Sequence, residues 1–522
     1  EMLATQLAQG GRLHVLPDEL VRPARAGLSA PLAGGYAPKS LAILRKRLGS
    51  EYVLSGSYLV SPGAGEEKLH LDLALQDARS GAALAVVTES GTLADLPEQV
   101  RNAGDALRGK LGLSAVSGES RKQVDRAQPP STDVARLMGI ALDALHKSDP
   151  ARAKDSLLQV VVLDPGYAPA YGLLARAWKE LGYDAKALAA AENARAYSAG
   201  LPLQQRLRIE REVAVENADW EQALKLDRQM LDNEPRNPEL FLVMVGDFLD
   251  AGKADEAQKV LDGLRALPAS STDPRVELAA AKIASARSDP KAQGEHSERA
   301  LQLAQARDEQ AQVMFATYQL GVAYYLQGEN ARAQSALHLV LAQSQRVANP
   351  RVEANAHVML GLLNFRLNQP QAASSDYEAA LNIYQRIGDQ RGCATVYDNL
   401  MLLLWQRGDH DAAQTASRNS LEIARMTGDV ERQGSALSTL AYMQMDDGVS
   451  DAVLDEFREA IALLKNAGSV YQYSFALKNY SEGLSLRGDL DQARAACTQA
   501  EQEAKRISDP ALGISVGFQC AN

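Results

Sequence analysis

The stretch LGVAYYLQGENARAQSALHLV, residues 320–340, decides how this chain folds. Leu320, Gly321 and Tyr324 mark one face of an amphipathic helix, Ala333, Leu337 and Val340 mark a second, and Gly328 falls between them. A glycine at that point supplies the positive φ of a tight helix C-terminus, and a small residue such as Ala333 lets two helices approach closely. The spacing predicts a helical hairpin. Working outward, Gly408, Gly448 and Gly488 follow at multiples of 40 residues, with Asn368 filling the one gap. Gly361, Met401, Ala441 and Ser481 repeat the place of Gly321, and Ala373, Ala413 and Ala493 that of Ala333. The corners Ile387-Gly388-Asp389, Thr427-Gly428-Asp429 and Gly468-Ser469 keep the same step, and three features in phase define a repeat array.

Upstream the register shortens. Ala141, Ala175, Arg211 and Val245 stand 34, 36 and 34 residues apart, and Ala153, Ala187, Ala223 and Ala257 hold the second-helix packing position. Pro165 and Pro235 close two of these units. Arg211 breaks the apolar pattern, which predicts looser packing of the third unit. Between Pro268 and Ala311 the signature weakens to one degenerate pair of helices, carried by Val276, Ala280 and Ile283 with Ala300, Leu303 and Ala304. About ten units are expected: short ones over 133–268, the degenerate pair over 269–309, 40-residue units over 310–509, and a further or capping helix opening at 510–522.

The pattern Leu320-Gly321-Tyr324-Gly328-Ala333-Leu337, repeated as Leu360-Gly361-Ala373-Tyr377-Ala380, resembles the tetratricopeptide repeat family. The 40-residue period and the Gly-Asp corners are similar to the subclass found in kinesin light chains and many bacterial signalling proteins. The fold this resemblance implies is mostly α, a tetratricopeptide-repeat superhelical solenoid preceded by a small α/β domain.

That first domain, residues 1–113, reads differently. Leu13 to Pro17, Tyr52 to Val60, Leu69 to Gln76 and Ala83 to Ser90 carry strand patterns, and Lys39 to Leu48 and Leu96 to Leu111 read as helices. The string from Leu48 through Gly49, Tyr52-Val53-Leu54, Gly56 and Ser57, followed by Leu73, Leu75-Gln76-Asp77 and Gly81, resembles the N-terminal domain of TolB and the flagellar outer-membrane protein FlgO. Such domains often precede tetratricopeptide arrays in membrane-tethered Ser/Thr kinases, winged-helix regulators and nucleotide cyclases. The resemblance implies a piece of a bacterial signalling protein whose effector domain lies upstream of residue 1. It also implies a soluble region on the periplasmic side of a tethered protein, with the cytoplasm as the alternative. Residues 114–132, with Pro129-Pro130 and little apolar content, read as a linker.

Composition agrees with a solenoid: 522 residues are 46% hydrophobic but only 5% aromatic, with a net charge of -11. The acidity argues against nucleic acid, which needs clustered Lys and Arg. No run approaches the eighteen or so apolar residues of a membrane span. Cys393, Cys497 and Cys520 lack metal spacing and read as free thiols. There is no phosphate loop, His-Glu-x-x-His, Cys-x-x-Cys or Gly-x-Ser-x-Gly, so neither catalytic residues, metal nor cofactor is expected. The seven His residues are scattered over different repeats, and Asp72, Asp77 and Glu89 lie on or near strands without a positioned partner.

What remains is the face that the first helix of each hairpin presents inward, a surface extended enough for a peptide or a partner's helix. The phase assigns to it Tyr318, Val322 and Tyr325; Asn355, Val358, Leu362, Phe365 and Arg366; Asp398, Asn399, Leu402 and Trp405; Ser438, Tyr442 and Met445; and Lys478, Asn479 and Glu482. In the related repeat subclass an Asn before the first helix's Leu bonds the main chain of a bound peptide. Asn399 and Asn479 match that position, while Gln319, Met359 and Thr439 depart from it. Trp405, Phe365 and Tyr442 would supply apolar anchors. The expected function is a non-catalytic protein-interaction and sensing module that binds a protein or peptide. The alternative is the regulatory half of a kinase, cyclase or winged-helix regulator, and self-association through the last helix is a further expectation.

Overall fold

The computed structural model describes residues 2–505, apart from 10–12, 17, 26, 30, 32–34, 63–66, 345 and 348. The expected helix at 510–522 and Cys520 lie outside these. Two compact units divide the chain, Glu1–Trp178 with Lys186–Ala356, and Lys179–Ala185 with His357–Asn522.

The N-terminal domain is an antiparallel meander flanked by helices. Helices α1 (Met2–Ala8), α2 (Asp18–Ala24) and α3 (Pro38–Leu48) precede strands β1 (Tyr52–Ser61), β2 (Lys68–Asp77) and β3 (Ala83–Thr92), and α4 (Leu96–Lys110) follows. The sheet order is β1-β2-β3, with Tyr52 opposite Asp77 and Lys68 opposite Thr92. Alternation in β2 sends Leu71, Leu73 and Leu75 to one face, where they meet Leu7, Ala103 and Leu107 from α1 and α4. Val53 packs on the other face with Leu41 and Leu44 of α3. The strand expected at Leu13 to Pro17 does not form over 13–16; Leu13 and Val15 instead pack as irregular chain against the α4 side of the core.

A helix, α5 (Gly118–Ala127), forms inside the stretch read as a linker. Its sequence is polar, yet Val124 is buried and Arg121 pairs with Asp105 of α4, enough to fix one amphipathic turn after another.

The helical hairpins follow. In the first unit they are α6 (Thr132–His146) with α7 (Pro150–Leu163), α8 (Ala168–Glu180) with α9 (Asp184–Ala196), and α10 (Leu203–Glu216) with α11 (Trp220–Asn233). Then come α12 (Pro238–Asp250) with α13 (Ala254–Arg265), α14 (Pro274–Ala286) with α15 (Pro290–Ala306), and α16 (Gln310–Leu326) with α17 (Asn330–Ser344). Next are α18 (Pro350–Arg366) with α19 (Pro370–Ile387), α20 (Gln390–Gln406) with α21 (His410–Thr427), α22 (Val430–Gln444) with α23 (Asp451–Ala467), and α24 (Val470–Arg487) with α25 (Leu490–Ala504). Alanines at the expected seam positions, Ala141, Ala153, Ala175, Ala187, Ala223 and Ala257 among them, are fully buried. Leu337, fully buried, packs directly over Gly321, where a Cβ would lie 2.9 Å from one of its methyl groups.

The corner between the two helices of each hairpin is left-handed. Among the described residues it falls at Ser148, Gly182, Ala218, Gly252, Ser288, Gly328, Asn368, Gly408, Gly448 and Gly488, all with positive φ. Ser148, Ala218 and Ser288 sit where an L side chain crowds the following carbonyl. Ala218→Gly should therefore raise stability by about 0.5–1 kcal/mol, after the flexibility that glycine adds to the unfolded chain. Chemical denaturation of the two proteins side by side would show no gain if the corner were unstrained.

The α/β domain and α5 run along the loops that join one hairpin to the next in the first unit. Tyr167 Oη donates to the Ala127 carbonyl at 3.1 Å. Gly200 lies so near Arg126 of α5 that a Cβ would collide with its guanidinium. His14 stands 3.2 Å from Glu234. Arg47 Nε donates to the Arg307 carbonyl at 3.1 Å, and Arg307 donates back to the Arg47 carbonyl and, at 2.8 Å, to that of Thr272.

Candidate protein-interaction face

In the second unit the first helices α20, α22 and α24 lie side by side, joined by polar rungs one repeat apart. Asp398 of α20 is ion-paired with Arg432 of α22, whose guanidinium also lies 3.4 Å from Thr395 and from Asp429. Ser420 donates to Asp398 at 2.6 Å, Ser435 of α22 to Gln472 of α24 at 3.2 Å, and Ser469 to Glu431 at 2.6 Å. Asp389 and Asp429 cap α20 and α22 by accepting from the Gly392 and Arg432 N–H groups. The glycines before them, Gly388 and Gly428, end the preceding helices in left-handed conformation.

On this face the expected residues divide by environment. Asp398 is consumed by the Arg432 rung, and burial raises its carboxyl above the ordinary range against the opposing Arg432 charge. Trp405 turns its ring edge-on to His410, 4.3 Å between centroids, and so belongs to the hairpin corner. Val358 is buried, Phe365 half-buried and Arg366 exposed. Leu402 is 51% exposed. Tyr442 is half-buried, its phenol raised by burial and then by the Glu482 and Asp446 charges. Lys478 lies 4.4 Å over the Phe475 ring, its ammonium lowered by burial, with Glu482 opposing that shift.

Asn399 is half-buried and Asn479 only 3% exposed, and neither carboxamide makes a hydrogen bond among the described residues. The buried Ser438 hydroxyl of α22 is likewise without a partner. Such groups ordinarily find one. Tyr318, Tyr325 and Asn355 belong to the first unit and are half-buried there, with burial pushing the Tyr318 phenol up to about 12.

Sequence reasoning overlooked Arg432, Thr395 and Ser435. It also misjudged Arg211, which pairs with Asp227 at 2.8 Å and Asp247 at 2.5 Å, so that two carboxylates compensate the break in apolar pattern. In the α/β domain Asp72 accepts from Thr88 at 2.7 Å and lies 3.3 Å from His70, and Asp77 accepts from the Arg79 and Ser80 N–H groups of the β2–β3 turn. Cys393 is a buried free thiol, pushed up to about 12 by burial, whereas Cys497 is disulfide-bonded and departs from the expected free state. Among the described residues no group of three or more His, Cys, Asp or Glu is placed to hold a metal, and no helix is long and apolar enough to cross a membrane.

Comparison with known proteins gives the following. The family model "Tetratricopeptide repeat" matches residues 313–386 and 352–426. No curated protein matches the chain. Among solved structures, a tetratricopeptide repeat protein from Parabacteroides merdae is similar at 17% identity and a TM-score of 0.35, over 51% of this chain and 99% of that one. The apo form of RapI is similar at 14% identity and a TM-score of 0.40, over 52% and 99%. BtubC from P. vanneervenii is similar at 19% identity and a TM-score of 0.38, over 42% and 94%. The helical hairpins of residues 313–426 are thus tetratricopeptide repeats.

Proposed function

We propose that the face formed by α20, α22 and α24 binds an extended peptide or a protein segment, making this chain a non-catalytic interaction and sensing module of a larger signalling protein. Asn479 carries the reading: a nearly buried carboxamide with no partner among the described residues offers a donor and an acceptor to an incoming main chain. Asn399 repeats the offer two hairpins earlier. The exposed Leu402 and half-buried Tyr442 between them provide apolar surface that gains by being covered. Asp398 and Arg432 serve as the scaffold that fixes the spacing of α20 and α22, because their charges satisfy each other.

The test is a pulldown from bacterial lysate with the chain as bait, beside Asn399→Ala/Asn479→Ala and Leu402→Asp variants checked by circular dichroism. A protein retained by the parent should be reduced roughly tenfold or more by either variant, each main-chain amide pair contributing about 1 kcal/mol and the apolar contact more. Equal capture by parent and folded variants would remove the face from consideration.

A further inference from the structure

The Arg211, Asp227 and Asp247 cluster joins three consecutive helices of the first unit. Arg211 reaches from α10 with Nε on Asp227 Oδ1 and Nη2 on Asp247 Oδ2. The Asp227 side chain is 1% exposed and that of Asp247 6%. One guanidinium thus faces two buried carboxylates, and Glu212 of α10, 3.9 Å from Arg211, adds a third acidic group. Full ionisation would leave excess negative charge in a site that water does not reach. One atom stands apart: Asp227 Oδ2 is buried and has no hydrogen-bond partner among the described residues.

We infer that Asp227 and Asp247 share a single proton, and that its release loosens the seam between α10, α11 and α12 as pH rises. A proton on Asp227 brings the cluster closer to charge balance, gives the carboxyl a donor, and lets it bond to Asp247. Charges reaching Asp227 come from Arg211 on α10 and Asp247 on α12; burial, with Asp247, lifts its carboxyl to about 7 against the pull of Arg211. The sign follows from linkage. A carboxyl raised in the folded state makes folding take up a proton, so its contribution is present at acidic pH and is lost as pH climbs through the folded value. This direction is opposite to that of Glu277, which is held down to about 2 chiefly by His296.

The experiment compares melting temperature and amide exchange from about pH 6 to about pH 8, spanning the folded value near 7, in the parent chain and in Asp227→Asn. The Asn amide imitates the protonated acid, keeping Oδ1 for Arg211 and offering Nδ2 to Asp247. The parent should lose several degrees across that range, with exchange corrected for intrinsic rate rising chiefly over 203–250, and the variant should lose less than half as much. An equal slope in both proteins would overturn the inference. Should the variant fail to fold, infrared difference spectroscopy of the parent decides: a carboxylic-acid carbonyl band must disappear across the same range, and its absence at the acidic end overturns the inference as well.

Discussion

Arg211→Ala should be the most damaging single substitution in the first unit, lowering stability by about 3–5 kcal/mol because it leaves two buried carboxylates facing each other without a cation. Equilibrium denaturation gives the loss. The loss should shrink at acidic pH, where protonation relieves the repulsion. The companion experiment replaces the whole cluster, Arg211→Met with Asp227→Leu and Asp247→Leu, and should recover most of the loss, since a packed apolar triad carries no desolvation cost. Failure of the triple variant to exceed the single one would mean that the ions hold a backbone arrangement which hydrocarbon cannot.

Tyr377→Ala should cost about 3–5 kcal/mol in the second unit. Tyr377 is 1% exposed and its ring fills the space over Gly361, where a Cβ would stand 2.4 Å from the ring. Glycine and ring are thus complementary halves of one contact between α18 and α19. Gly361→Ala should itself cost about 1–3 kcal/mol by overpacking, and the double variant should cost less than the two losses added together. Thermal melts of the three proteins form the cycle, and strict additivity would show that the two positions do not touch in solution.

The hairpins were legible because their determinants are local and recur. Gly328, Ala333 and Leu337 specify a corner and a seam within twenty residues, and repetition every 40 residues removes the ambiguity of any one copy. The corners at Ser148, Ala218 and Ser288 were not legible, because a left-handed residue without glycine announces nothing; position within the period alone reveals them. The strand expected at 13–16 failed because alternation in Leu13 and Val15 signals a buried face without specifying a hydrogen-bonding neighbour.

The candidate face was legible in part. Phase alone placed Asn399, Leu402, Tyr442 and Asn479 on the first helices. It could not separate Asp398, neutralised by Arg432, or Trp405, turned to His410, from groups left unpartnered. Which charges cancel depends on contacts some 34 residues away, and helical periodicity carries no record of them.

A stack of hairpins that touch only their neighbours ordinarily comes apart from its ends, each hairpin adding its own increment. The α/β domain alters this for the hairpins it borders. Contacts of α5 at Tyr167 and Gly200, and of the α/β domain at Glu234 and Arg307, tie loops between hairpins to the N-terminal segment, Arg47 and Arg307 meeting across 260 residues of chain. Opening one of those hairpins then breaks its contact to the N-terminal segment as well as those to its neighbours. The order of synthesis then matters. A ribosome delivers the domain first, and its Arg47, already bonded to the Ala24 carbonyl, gains the Arg307 contact only once Arg307 has been translated and α15 has formed, so the packing of this early segment is completed 260 residues later in the chain.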